Sequence, residues 1–518
     1  MSRIRQTKLG VGAFDVPPLD TGASSHSHLR VTRLGDSSTS IPSQQFFPVQ
    51  AVTMGRTSFE DQPQVESIQL DSTTAGNSSP SPDSIYPNVP SEHEHEGVSF
   101  PPVDTGKDAM LFLTACFIVE CLVWALSLSG LGFPFAFGIF QNYYSTHEPF
   151  KGSSSIAAIG TTAMGTMYLT APLVFPLMRL YPKQNRYSPL VGLLIMCAAL
   201  ALSSFAQTVW HLILTQGVLF AIGGSISYGP CILYMDEWFV KRKGLAWSGL
   251  GGFAIPLLLE FLLGRYGLRT TLRIWAVALF VLTMPVVYFV KPRLPVTAKS
   301  NYNPFRLGFL LDRSFLMYQA ANIVEALGFF MPGLYLPSYA SSILGSEAFP
   351  AALTILAVNV ASVFGCIAMG VFVDRFHPTT CIMISTVGTV IGTFLLWGFA
   401  TNMAVLYIFC VIYGFFAGSY TSTWTGVIKQ VTSKPSQPGT ANAGSAFDPV
   451  MVFGYLAAGR GIGNVVSGPL SEALVKGMAW QGQAAGGYGS GYGPVIAFTG
   501  ATAVIGGTSF LWKRIGWM

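Results

Sequence analysis

Residues 351–375 read AALTILAVNVASVFGCIAMGVFVDR, and no charge interrupts the run until Asp374 and Arg375. About 20 apolar residues are enough for a helix to cross a hydrocarbon core. With no water there to satisfy the backbone, a helix is the form such a run must take. Residues 351–373 therefore predict a membrane-spanning helix that ends in Gly370-Val371-Phe372-Val373-Asp374-Arg375, a G-x-x-x-D-R pattern at the lipid–water boundary.

The same alternation of long apolar runs and short polar breaks continues from Met110 to the C-terminus. Spans are expected near 111–140, 156–178, 188–206, 211–235, 244–264, 271–290, 315–340, 351–373, 379–399, 403–428, 450–473 and 493–512. The interval 291–314 divides the twelve into six and six. Composition agrees, because 51% of the chain is AVILMFWYC and only 10% is charged, where soluble domains carry about a quarter. The expected fold is all-α and integral to the membrane. Its parts are a disordered tail (1–109), a six-helix bundle (110–290), a central loop (291–314), a second six-helix bundle (315–513) and a short end (514–518).

Charge is split between tail and membrane region. Residues 1–110 hold 7 Lys/Arg against 13 Asp/Glu, and residues 111–518 hold 22 against 11. The tail is rich in Ser, Thr, Pro and Gly, has no apolar periodicity, and shows no leader-like apolar run after Met1. Its Glu92-His93-Glu94-His95-Glu96 tract reads as a solvated acidic stretch rather than a metal site. Loop charges orient the spans. With the tail cytoplasmic, the inner loops carry fourteen Lys/Arg and the outer loops five, so both termini are expected inside, in a multi-pass protein of the plasma membrane.

Several function classes drop out. No G-x-x-x-x-G-K-[ST] phosphate loop exists to energise a pump. The histidines of the membrane region, His147, His211 and His377, fall at span ends or in loops, so neither an enzyme nor a cofactor or metal site is expected. The seven cysteines lie in or beside apolar runs without C-x-x-C spacing and read as buried thiols. No basic run interleaved with aromatics points to nucleic acid. What is left is a carrier whose two halves rock about a midplane site, with the bilayer, a small organic solute and, if a buried acid titrates, a proton as its partners. A monomer is expected.

An ionised side chain at mid-bilayer costs about 2.5–3.5 kcal/mol, so those present tend to face a cavity or a partner. Glu120 in span one and Glu325 in span seven occupy equivalent helices and can each hold a proton. Arg460 in span eleven cannot shed its charge and requires an anion or carbonyls around it. Glu260, near Arg265 at the outer face, reads as a structural pair or an interfacial residue, and Glu472 as a solvated group at the membrane edge. Gln216, Tyr228, Asn322, Asn359, Tyr420 and Trp424 are the polar and aromatic candidates for the path. Gly370, Asp374 and Arg375 form the expected gating loop. The matching loop between spans two and three, Pro176-Leu177-Met178-Arg179-Leu180-Tyr181-Pro182, lacks the acid. Gly486–Gly493 reads as a flexible outer loop.

Further stretches carry a family resemblance over roughly residues 101–518. They are Pro101-Pro102-Val103-Asp104, Gly132-Phe133-Pro134, Phe137-Gly138-Ile139-Phe140-Gln141, Glu237-Trp238-Phe239-Val240-Lys241-Arg242-Lys243-Gly244-Leu245-Ala246, Tyr266-Gly267-Leu268-Arg269, Gly459-Arg460-Gly461-Ile462-Gly463-Asn464 and Ser467-Gly468-Pro469-Leu470. With these the chain resembles the fungal branch of the monocarboxylate porter family, within the major facilitator superfamily. The resemblance implies the twelve-helix facilitator fold and transport by alternating access. Animal members carry a Lys in span one and an Asp/Arg pair in span eight. The corresponding positions here resemble Phe135 and Asn359, Val363 and Cys366. That departure puts export of an amphipathic, biosynthetic-cluster type of metabolite slightly ahead of uptake of a monocarboxylate or related acid. A nutrient sensor signalling through its tail comes third.

Overall fold

The structure, a computed structural model, describes residues 101–123, 137–153, 155–239, 255–294, 304–433 and 447–517. Residues 1–100 of the expected tail, the Glu/His tract, Phe135 and the Lys241-Arg242-Lys243 cluster lie outside these residues, as does the Glu260 side chain; residues 101–109 of that tail are described, with α1 beginning at Lys107. The described chain is helical. Its main elements are α1 (Lys107–Val123), α2 (Phe137–Thr146), α3 (Ile156–Leu180), α4 (Gln184–Ser203), α5 (Val209–Met235), α6 (Ile255–Val287), α7 (Arg313–Phe329), α8 (Met331–Ser342), α9 (Ala348–Arg375), α10 (Pro378–Trp397), α11 (Met403–Thr432), α12 (Pro449–Val475) and α13 (Gly493–Arg514).

Nine helical stretches among the described residues are long and apolar enough to cross a membrane: α3, α4, α5, the Phe261–Val287 part of α6, and α9 to α13. Leu173, Val277 and Phe364 are more than half exposed, as outward-facing residues in lipid are. The interior instead holds Gln216, Asn322, Glu325, Arg460 and Asn464. Side-chain caps start several helices. Asp312 accepts from the Phe315 N–H at 3.2 Å, Asn402 from Val405 at 3.0 Å, and Asp448 from Val450 at 3.0 Å. Each supplies an acceptor to a first-turn amide that has no partner within its own helix.

Three boundaries differ from those expected. The loop assigned to 265–270 is one break inside α6, at Gly267 (φ 72°, ψ 174°). Only glycine adopts that conformation readily, and Thr271 bonds back to the Gly267 carbonyl at 2.8 Å, so helix continues on either side. The seventh span is broken at Phe330 into α7 and α8, with Pro332 in the first turn of α8. Gly486–Gly493 is not a loose loop, because the Tyr488 hydroxyl donates to the Phe394 carbonyl at 2.9 Å and its amide to that of Gly398 at 3.2 Å. Those bonds fasten the segment to the end of α10.

Helices α1–α6 pack mainly among themselves, as do α7–α13. The two sets meet chiefly along three pairs, α3 with α12, α2 with α8, and α6 with α9. The α3–α12 seam is the most extensive. A Cβ on Gly461 would stand 2.7 Å from the Gly165 carbonyl oxygen and 2.9 Å from the Leu169 amide nitrogen. The backbones touch there, as small residues permit in membrane helices.

Candidate functional site

Arg460 sits midway along α12 with 1% of its side chain exposed. Its Nη1 donates to Glu325 Oε2 of α7 at 2.6 Å, and Glu325 is only 8% exposed. Close approach of the two helices makes the bond possible. A Cβ on Gly463 would lie 2.6 Å from the Ile323 carbonyl oxygen, so the Gly-rich stretch around Arg460 presses α12 onto α7. Aromatic rings complete the enclosure. The guanidinium carbon is 4.1 Å from the Phe329 ring centre and 5.7 Å from that of Tyr420. Tyr168 of α3 is within interaction range of both charges.

The other expected residues divide between this centre and the scaffold. Glu120, half-buried in α1, lies within electrostatic reach of Tyr168 and Cys366, both of which also neighbour Arg460. Trp424 stands edge-on to Tyr168 at 6.4 Å and to Phe453 at 5.7 Å, one layer from the ion pair. Asn322 donates to the Leu456 carbonyl at 2.8 Å and so ties α7 to α12. Asn359 is buried in α9. Gln216 accepts from the Tyr144 hydroxyl at 3.0 Å and belongs to the α2–α5 packing. It lies in a π-type turn of α5, which sets its direction.

The gating-loop residues are arranged differently from the expectation. Asp374 accepts from Lys429 Nζ of α11 at 2.7 Å, within the C-terminal set, so this bond does not lock one set to the other. At the same end of the bundle the crossing bond is made by Arg179 of α3. Its Nε and Nη2 meet the two carboxylate oxygens of Asp448 at 3.0 and 3.2 Å. The loop that lacks the acid thus contributes the base, and the acid is the cap of α12. Close by, burial, and secondarily Lys513, hold the His377 ring below its ordinary pKa. The neutral Nδ1 accepts from the Thr379 amide at 3.3 Å at the start of α10.

Glu472 is likewise more than a solvated edge residue. Both its oxygens accept from the Ser155 N–H, at 2.7 and 2.8 Å, which caps the far end of α3 from the other set. The α3–α12 seam is therefore bonded at both ends. Between them, Tyr168, Phe175, Ser225, Tyr228 and Phe453 line a small cavity that is partly open to solvent. Sequence reasoning missed Asn464. It is fully buried, and neither amide atom has a hydrogen-bond partner. Its spacing of four from Arg460 on one helix was the available signal.

The profile of the Major Facilitator Superfamily matches residues 126–447. MFS-type transporter pynF of Aspergillus niger is 27% identical over 68% of this chain and 82% of its own. The Fujikurins efflux protein of Gibberella fujikuroi is 26% identical over 60% of this chain and 68% of its own. Among solved structures, that of the nucleoside transporter NupG covers 79% of this chain and 99% of its own, with a TM-score of 0.54 at 12% identity, a likeness of fold. The chain belongs to the major facilitator superfamily.

Proposed function

We propose that this chain is a secondary carrier of the monocarboxylate-porter-like fungal branch that exports a small organic metabolite from the cell. The observation that carries the reading is the Glu325–Arg460 pair, an acid and a base enclosed by aromatic rings where the two helix sets face each other. Buried ionised groups are costly unless paired, and in membrane carriers they mark the solute or proton path. The similarity to the Fujikurins efflux protein supports the outward direction.

In this reading the α1–α2 region, the Ile255–Tyr266 arm of α6 and α7 with α8 add three spans to the nine long helices. The twelve form two six-helix halves, 110–290 and 315–513, which rock about Arg460. The Arg179–Asp448 end faces the cytoplasm, where the loops are basic, together with both termini. The membrane is the plasma membrane. Glu325 is the proton-bearing group. When it is protonated it releases the guanidinium to a solute anion, and Glu120 is the second acid of the path. Arg460 also supports the second reading, uptake of a monocarboxylate.

The test compares medium and cell extract of a deletion strain with those of its parent by mass spectrometry. A compound that accumulates inside and disappears outside is the expected result. An organic acid left unconsumed in the medium would establish uptake instead, and no change in either fraction would refute carriage of a metabolite.

A further inference from the structure

The structure assigns the solute a chemical class: we infer that the site takes a planar aromatic body carrying one acidic group, the body against Phe453 and the acid between Arg460 and Asn464. This rests on the export reading and deepens it. Phe453, Ala457, Arg460 and Asn464 follow one another at intervals of four, three and four residues and so form one stripe of α12. At 1.5 Å per residue the stripe runs about 10 Å from Phe453 to Arg460, roughly the length of a fused two-ring acid.

Three features of the stripe choose the ligand. At one end, Phe453 and Ala457 join Tyr168, Phe175 and Tyr228 around the cavity, with Trp424 edge-on behind two of those rings. The lining carries no charge. Rings of this kind favour a flat π-face over an aliphatic chain. In the middle, Glu325 engages a single guanidinium nitrogen, whereas the guanidinium fork is shaped for a carboxylate. At the far end, Asn464 is 0% exposed with both amide atoms unbonded. Leaving such a group unsatisfied is unfavourable, and an oxygen of the acid would accept from its amide.

Direct binding to the purified full-length chain in nanodiscs tests this with three probes. They are naphthoate, its neutral isostere naphthamide, and the saturated analogue decalin carboxylate. Naphthoate is expected to bind about tenfold more tightly than either of the others, as one lost charged or ring contact implies. Phe453→Ala should erase the preference over decalin carboxylate. The paired change Glu325→Gln with Arg460→Gln, which leaves no lone buried charge, should erase the preference over naphthamide. Asn464→Leu should weaken naphthoate about tenfold without lowering the melting temperature, whereas a purely structural asparagine would lower it. Equal binding of the three probes, binding of none, or preferences that survive these substitutions would overturn the assignment. The two readings fail separately. A deletion strain that retains a ringless or neutral compound overturns the class and leaves export standing. Naphthoate binding as described, with no change in the strain's medium, leaves the class standing and overturns export.

Discussion

Removing one charge of the Glu325–Arg460 pair should harm the protein more than removing both. The bond is 2.6 Å long between side chains that are 1% and 8% exposed, so neither charge can fall back on water. Truncating one partner of such a pair costs about 3–5 kcal/mol, because the other is left buried and unpaired. Arg460→Met leaves a buried acid that must stay ionised without a partner or take up a proton, and it also removes the cation from the Phe329 ring 4.1 Å away. Glu325→Gln strands a guanidinium that cannot deprotonate. With both changes no charge remains, and the loss should be smaller than for either single variant. The assay is a double-mutant cycle on unfolding in nanodiscs, followed by intrinsic fluorescence. Coupling of about 3 kcal/mol or more is expected, at the upper end for residues in contact. Single variants within about 1 kcal/mol of the parent, the value of an exposed pair, would refute burial of the bridge. So would a double variant as unstable as the worse single one. Flux should be lost in all three variants, which separates the pair's part in transport from its part in stability.

Arg179→Ala and Glu472→Ala should shift the carrier in opposite directions, since each frees one end of the α3–α12 seam. With a cysteine at Ala457 in an otherwise cysteine-free chain, maleimide labelling from the Arg179 side should rise in the first variant and fall in the second; parallel changes would refute the two-latch reading. Gly461→Ala pushes a methyl into the Gly165 carbonyl and should cost about 1–3 kcal/mol, as overpacking does. Gly264→Ala in α6, where a Cβ meets nothing within 4 Å, should gain about 1 kcal/mol of helix propensity. Similar melting temperatures for the two glycine variants would remove the close seam from the account.

Hydropathy was enough to expect a span over 351–373, found as Ala348–Arg375, because lipid imposes its length and its lack of charge on each helix separately. Glu325 and Arg460 stood out for the same reason, each being an expensive residue in its own run. Their pairing was not legible. Equivalence of the halves singled out Glu120 and Glu325 alike, without saying which acid Arg460 would meet; the rotational phase of α12, set by Gly463 against the Ile323 carbonyl, aims Arg460 at α7. Glu472 was read as solvated because its partner, the Ser155 amide, is 317 residues away and is backbone, which has no signature in side-chain order. Asp374 had Arg375 beside it in sequence, and its bond to Lys429 instead depends on how α9 lies against α11.

The location of each charged bond relative to the two sets follows a physical logic. Glu325 and Arg460 belong to α7 and α12, which lie in one set, so rocking of one set against the other leaves that buried bond unbroken. The bonds that must break join the sets, and they lie at helix ends. Arg179 meets Asp448 where α12 begins, and Glu472 meets Ser155 where α3 begins. When an end opens, water reaches the freed groups and replaces the lost partner, so the cost approaches the ~0–1 kcal/mol of an exposed pair rather than the several kcal/mol of a buried one. A carrier needs this distribution, with gates weak enough to open in turn and a centre strong enough to stay assembled. The aromatic wall is divided to match, with Tyr168 on α3 and Phe453 on α12, so in the proposed cycle the motion that opens an end would also separate the two faces of the proposed solute site.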